Sequence, residues 1–236
     1  SRGLIPWAAG RLPLSYSQMS VSYRAKRFVE AAGMPPEQAD AVWKQVIRDR
    51  HKPGLYGPLL RGLPPKPKAL LSQAYLEQAR DLPTLNRLIY AEMQMSLVED
   101  VLNKHDRMAA AFGLENYGPF TDRRLVEFAF RLPVRDKVRG LRTKYLLRKT
   151  LEGRLPHAIA YQRKMPFNSP SSEWLSGGLR EFLRDTLSTE RLRSQGVLDQ
   201  QAVHKMISDH LERRADYGPP LWSLLMLTLW LDSASQ

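Results

Sequence analysis

The run Leu221-Trp-Ser-Leu-Leu-Met-Leu-Thr-Leu-Trp-Leu231 is apolar on nearly every side of a helix. It is far shorter than the roughly 20 residues a helix needs to span a bilayer. Such a segment has to be buried in protein, so it marks the centre of a core that the rest of the chain must cover. What surrounds it reads as helices punctuated by proline and glycine, and no β-strand signal is convincing. The fold class expected is therefore mainly α. At 236 residues the chain can bury one good core and leaves room for a smaller lobe.

Along the chain, 16–32 has a helical pattern that stops at Gly33, a natural residue just past a helix end. Pro35 and Pro36 open the next helix, with Ala39, Val42, Val46 and Ile47 on one face. Residues 52–68 form a Pro/Gly-rich connector, and 69–81 a further helix. Pro83 opens a long helix with Leu85, Leu88, Ile89, Met93, Leu97 and Leu102 facing inward. Later helices are expected near 123–132, 143–153, 172–187, 199–214 and 219–232. Asp122 and Asp199 stand where N-caps belong, and Leu125, Val126, Phe128 and Ala129 make the apolar face behind Asp122. The expected organisation is a loosely helical segment over 1–83 and a compact core over 84–236.

Composition narrows the function classes. There is no cysteine, which removes disulfides, thiolate metal sites and cysteine nucleophiles and fits a reducing cytoplasm. No signal peptide is legible at the N-terminus, so a cytoplasmic protein is expected and no membrane partner. The net charge of +12 could serve a nucleic acid, an anionic substrate or an acidic partner. The basic residues, however, are scattered and are not interleaved with aromatics as a base-stacking platform would be. They read as solvated helix faces, and no nucleic-acid partner is expected. The five histidines show no metal spacing; His204 and His210, six apart, do not share a helix face. No metal-ligating set is expected. Ser176-Gly177-Gly178 imitates the start of a phosphate loop but lacks the Asp-Ser that should follow, and reads as a helix break.

Six segments in order carry more specific information. Lys104-His105-Asp106-Arg107-Met108 ends one helix. Glu115, Pro119, Phe120 and Asp122 follow, and then Arg124-Leu125-Val126-Glu127-Phe128-Ala129. Gly140 and Thr143-Lys144-Tyr145-Leu146-Leu147-Arg148 come next. Lys164 and Phe167 lie in a loop, and Glu173-Trp174-Leu175 precedes the closing apolar helix. In this order and spacing the segments resemble the C-terminal half of the synthetase domain of the asparagine synthetase family. The resemblance is clear over 84–236 and faint over 1–83.

That resemblance implies the helical C-terminal lobe of an adenine-nucleotide α-hydrolase-like synthetase domain, an α/β fold whose sheet half this chain does not contain. It implies an ATP-dependent, amide-forming ligase. The family activates a carboxylate, usually aspartate, as an acyl-adenylate, and ammonia from a glutaminase domain attacks it. Glu115 and Lys164 inherit the catalytic positions, with Asp106, Arg107, Tyr117, Lys144, Tyr145 and Phe167 around the substrate. ATP and Mg are expected mainly on the other half.

The chemistry is consistent with those residue types. A lysine ammonium offsets negative charge growing at phosphorus. A partly desolvated glutamate can accept the proton that an attacking amine sheds. Without the resemblance, Glu115 reads as a buried capping or salt-bridging carboxylate, Lys164 as a solvated loop lysine, Asp106 with Arg107 as a structural ion pair, and Tyr145 as a packing residue.

The departures from the family pattern bear on the substrate. Tyr117 replaces the arginine two residues after the glutamate, Thr121 the leucine before the aspartate, and Pro166 the glycine of the lysine loop. The Ser-Gly-Gly-x-Asp-Ser pyrophosphate loop, the Asp-Glu-Leu-Phe-Gly-Gly segment and an N-terminal nucleophilic cysteine are not in the sequence. A helical lobe cannot replace a cradle of backbone N–H groups. The expectation is a fragment or split subunit, inactive alone, whose partner carries the pyrophosphate loop. The amine then comes from a glutaminase domain or an amine-bearing substrate, and a homodimer is left open. Two alternatives stand beside it: a lactam- or macrolactam-forming synthetase acting on a peptide or amino-acid derivative, and a non-catalytic helical interaction module.

Overall fold

The computed structural model describes residues 21–64, 68–163 and 169–234. It is mainly α. In chain order the elements are α1 (Val21–Ala31), α2 (Pro36–Trp43), a 3₁₀ turn (Asp49–His51), α3 (Lys52–Leu55), α4 (Lys68–Gln78), α5 (Thr84–Glu92), a π-helical stretch (Met93–Leu102) and α6 (Asn103–Ala110). A second 3₁₀ turn (Pro119–Thr121) leads to α7 (Arg123–Arg131), α8 (Val134–Lys137), the two-residue strands β1 (Val138–Arg139) and β2 (Arg142–Thr143), α9 (Tyr145–Leu151) and α10 (His157–Ala160). The C-terminal helices are α11 (Ser171–Ser176), α12 (Arg180–Thr186), α13 (Thr189–Gln195), α14 (Gln200–Leu211) and α15 (Gly218–Ala234). Residues 16–20 of the first expected helix lie outside the described residues. Contacts divide the chain into two units, one taking residues up to 71 and from 168 onward, the other 72–167.

The first unit holds the core. Leu175, Leu183, Leu187, Leu192, Val203, Leu221 and Leu225 are almost fully buried, and Leu55 and Leu198 join the same cluster. Each such side chain contributes about 1.5–3 kcal/mol on leaving water. α15 takes its place there, but not on every side. Leu221, Leu224, Leu225 and Thr228 are buried, whereas Met226 and Trp230 are exposed. The expectation of all-round burial fails because the described helices cover one face only.

Local signals set the boundaries. The Asp199 carboxylate accepts the Ala202 N–H at 2.9 Å and starts α14. Gly33 has φ +88° and stops α1. α11 ends before Gly177-Gly178, the expected break. α2 ends at Trp43, earlier than its apolar pattern suggested, so Val46 lies beyond it and is exposed. α1 and α2 pair through Phe28 and Trp43, stacked at 6.2 Å, and through Trp43 Nε1 donating to the Arg27 carbonyl at 2.8 Å.

The connector after α2 is more than a spacer. The Gly57 N–H donates to the Val197 carbonyl at 2.8 Å, the Leu59 N–H to Gly196 at 3.0 Å, and the Asp199 N–H to Leu55 at 2.9 Å. This short ladder docks the connector beside the α13–α14 turn and seats Leu55 in the core.

In the second unit the long helix runs from Thr84 to Ala110 with π geometry in its middle. Leu85, Leu88, Ile89, Met93, Leu97 and Leu102 are half-buried along it. Buried Asn86 donates to the Phe130 carbonyl at 3.1 Å, and Lys137 Nζ donates to Asn86 Oδ1 at 2.6 Å. These bonds tie α5 to the end of α7. Partial burial among these groups lowers the Lys137 pKa.

Candidate active site

The segment carrying Glu115 is irregular and lies between α6 and α7. Asp122 closes it. Its carboxylate accepts the N–H groups of Arg124 at 3.0 Å and Leu125 at 3.2 Å, capping α7 as its position before an apolar run requires. Arg123 bonds Glu127 at 2.8 Å one turn on.

Glu115 is exposed, and so is every residue from 111 to 125. The expectation of a buried carboxylate was wrong. Its neighbours Leu114 and Phe120 are exposed as well, Phe120 by 70%. Glu115 is instead held by Tyr117, whose hydroxyl donates to Oε2 at 2.5 Å. That bond raises the phenol pKa, because ionised Tyr117 would lose its acceptor. The result is a solvent-facing carboxylate oriented by a phenol that keeps its proton.

The other expected residues are distributed as follows. Asp106 and Arg107 lie exposed on α6, and among the described residues they form no ion pair with each other or with Glu115. Lys144 stands at the start of α9 in the left-handed conformation, φ +56°, and is exposed. A non-glycine residue held there costs roughly 1–3 kcal/mol and is kept by its surroundings. The half-buried Tyr145 accepts a bond from Arg139 Nη1 at 2.7 Å, and the same guanidinium lies 5.2 Å from its ring centre. Glu115 and Tyr117 are thus the only expected site residues joined to each other by a hydrogen bond among the described residues. Lys164, Pro166 and Phe167 lie outside them.

Sequence reasoning missed the polar groups that hold this scaffold. Arg148 contacts the backbone on both sides of α9, and Lys137 with Asn86 pins α7. Arg148 had a signal, its place in a matched motif; Asn86 had none, because its partner is 44 residues away. Tyr161 donates to Glu152, which Lys149 approaches at 3.1 Å, so the Glu152 pKa falls and that of Tyr161 rises.

α7 also departs from expectation. Val126 and Ala129 are half-buried, but Leu125 and Phe128 are exposed. With Met108, Phe112, Leu114, Tyr117 and Phe120 they make a run of exposed apolar residues along 108–128. Among the described residues no three His, Asp or Glu side chains are placed to hold a metal ion. No helix among them is long and apolar enough to cross a membrane.

The asparagine synthase family model matches residues 5–232. Asparagine synthetase [glutamine-hydrolyzing] 1 of Bacillus subtilis is 26% identical over 160 residues, 68% of this chain and 25% of the relative. Asparagine synthetase [glutamine-hydrolyzing] 3 of the same organism is 31% identical over 121 residues, 51% of this chain and 20% of the relative. The chain thus matches a quarter or less of the length of these curated relatives. No solved structure matches it. On a match that runs almost from end to end, the chain belongs to the asparagine synthase family of ligases.

Proposed function

We propose that this chain forms the helical, substrate-side part of an ATP-dependent ligase that adenylates a carboxylate and passes the acyl group to an amine. The observation that carries the proposal is the Glu115 segment. Its carboxylate sits in the family's register, faces solvent and is oriented by Tyr117. A structural carboxylate in an exposed loop has little use for such a bond, whereas a proton acceptor gains direction from it.

In the first step the substrate carboxylate oxygen attacks the α-phosphorus of ATP and pyrophosphate leaves. Lys164 offsets the charge that builds there. In the second step the amine attacks the acyl carbon, AMP leaves, and Glu115 takes the proton the amine gives up. Tyr117 keeps the carboxylate aimed. Asp106, Arg107, Lys144, Tyr145 and Phe167 are assigned to the substrate by their places in the matched motifs.

Among the described residues no three His, Asp or Glu side chains are placed to hold a metal ion. Mg–ATP is assigned to a nucleotide-binding half with a pyrophosphate loop, because the phosphates need a cradle of backbone N–H groups. The exposed apolar run along 108–128 supports a partner of that kind, since exposed apolar surface marks interfaces. Ammonia comes from a glutaminase domain or the amine from the substrate itself. Aspartate is the first acceptor to try. Tyr117 in place of the family's arginine favours a lactam-forming relative acting on an amino-acid or peptide derivative as the second reading.

The test is reconstitution. Residues 1–236 alone should neither bind Mg–ATP tightly nor release pyrophosphate. With the nucleotide half present, adding a carboxylate substrate should start pyrophosphate release. Micromolar Mg–ATP affinity of the chain alone would overturn the assignment of the nucleotide to the other half. Silence of the reconstituted protein with aspartate and with every amino-acid or peptide carboxylate supplied would overturn the ligase.

A further inference from the structure

The positive charge is not spread evenly along the chain. From Arg123 to Arg154 there are eleven Lys and Arg against three Asp and Glu, whereas 169–236 holds seven against nine. Of those three acids, Glu127 pairs with Arg123 at 2.8 Å and Arg131 at 3.8 Å, and Glu152 with Lys149 at 3.1 Å. Among the described residues Arg135, Arg142 and Lys144 have no carboxylate partner, and Arg139 has only the Tyr145 phenol and ring.

The β1–β2 hairpin concentrates these cations. Its register sets Arg139 directly opposite Arg142. Opposed side chains share one face of the pair with β-carbons about 5 Å apart, and like charges placed there destabilise it. Between them Gly140 turns the chain at φ +60°, and Leu141 at the tip is fully exposed. Arg135, in α8 just before β1, and Lys144, just after β2, are exposed as well. The hairpin therefore carries two guanidinium groups side by side and a leucine that buries nothing. Folding gains nothing from either, so their use lies with an anionic partner.

The chemistry narrows that partner. A guanidinium fork matches a carboxylate through two parallel hydrogen bonds. Single-stranded nucleic acid would also need aromatic faces for its bases, and the two tyrosines flanking α9 already carry a guanidinium near the ring, Tyr145 that of Arg139 at 5.2 Å and Tyr161 that of Arg148 at 5.8 Å. What the tip offers besides charge is an aliphatic side chain.

We propose that the β1–β2 hairpin binds an acidic peptide segment, with Arg139 and Arg142 on its carboxylates and Leu141 against a neighbouring apolar side chain. The proposal rests on the second reading above, in which the substrate is a peptide derivative. Its test is binding alone, so it can fail while the ligase stands.

The experiment is fluorescence anisotropy with residues 1–236 at physiological salt. The probes are a labelled peptide of Glu and Leu, its counterpart of Gln and Leu, and a single-stranded DNA with the charge of the first. The Glu–Leu peptide should bind and the Gln–Leu peptide should not. Arg142→Thr should weaken binding by about tenfold, the scale of one hydrogen bond to a charged group. It should also raise Tm slightly, because the like-charge pair is gone. Leu141→Ser, at a position too exposed to disturb the fold, should weaken binding severalfold. Arg193→Thr removes the same charge from an exposed position on α13 and should leave binding as it is. Equal weakening by Arg193→Thr would reveal a net-charge effect and overturn the proposal. Wild-type affinity of both Arg142→Thr and Leu141→Ser would overturn it as well. DNA bound as tightly as the Glu–Leu peptide, and weakened equally by Arg142→Thr, would overturn it in favour of a nucleic-acid surface. Peptide binding that follows the hairpin variants in a protein with no ligase activity would uphold this site and bring down only the reaction.

Discussion

Replacing Gly57 by alanine tests how the connector is built into the core. A β-carbon at this position would lie 2.6 Å from the Gly196 carbonyl oxygen and 2.8 Å from that of Leu198. Both are backbone atoms, so no side chain can swing aside. The connector would have to move away by most of an ångström. That motion stretches the Gly57–Val197 and Leu59–Gly196 hydrogen bonds and the bond from Asp199 N–H to Leu55. Each is worth about 0.5–1.5 kcal/mol net, and overpacking of this kind costs typically 1–3 kcal/mol. The expected loss is about 2–4 kcal/mol. Gly54 supplies the control. It lies in α3, three residues away in sequence, and a β-carbon there meets nothing within 4 Å. Gly54→Ala should be neutral or stabilising by up to about 1 kcal/mol, since alanine suits a helix better and loses less entropy. Urea unfolding followed by far-ultraviolet circular dichroism measures both, as a shift in midpoint at constant slope. A Gly57→Ala midpoint equal to wild type, or an equal loss for Gly54→Ala, would refute the packing described.

Three further outcomes are expected. Leu225→Ala removes a nearly fully buried side chain from the core and should cost about 2–5 kcal/mol in the same unfolding assay; a change under about 1 kcal/mol would mean the site is not packed. Asp122→Ala removes the acceptor for two N–H groups at the start of α7 and should cost about 1 kcal/mol, while Asp122→Asn should cost much less. His210 is fully buried, with Nε2 against the Ser172 carbonyl at 3.1 Å, Nδ1 accepting the Tyr217 N–H at 3.3 Å, and Asp216 at 3.8 Å. Burial lowers its pKa below the ordinary 6.5, outweighing the pull of Asp216. The unfolded chain then binds the proton more readily. The contribution of His210 is complete above pH 6.5 and is lost as pH falls below that value. His210→Gln should flatten this acid limb of the stability curve; an unaltered limb would exclude His210 as its source.

What the sequence disclosed was mostly local. Asp122 and Asp199 could be identified as caps because an N-cap acts within three residues. Gly33 and the Gly177-Gly178 break act over similarly short distances, and the long helix from Thr84 was legible in its period. The π geometry within it was not, because an apolar period of three to four residues does not separate one helical bond pattern from another. Burial was judged least well. Glu115 was expected to be buried and is exposed, and the apolar circumference of 221–231 made the whole helix look internal. Whether an apolar side chain is covered depends on what the rest of the chain brings to it. Leu125 and Phe128 of α7, and Met226 and Trp230 of α15, remain exposed among the described residues. The docking of Leu55 and Gly57 against 196–199 joins segments about 140 residues apart, which no local pattern announces. In the site, the Glu115 register was legible through the ordered motifs. The Tyr117 bond to the carboxylate and the bonds of Arg148 to two segments depend on side-chain placement that no local pattern encodes.

Separating the two chemical steps decides the roles of Glu115 and Lys164. In the complete enzyme, pyrophosphate release and amide formation are measured independently for Glu115→Gln and Lys164→Ala. Glu115→Gln keeps an oxygen for the Tyr117 hydroxyl and removes the basic carboxylate. It should fold normally, release pyrophosphate and fail to form the amide. Lys164→Ala should lose pyrophosphate release by roughly 10²-fold or more, the scale of a lost transition-state charge contact. Wild-type rates for both steps in both variants would show that these residues are structural and that the proposed division of labour is wrong.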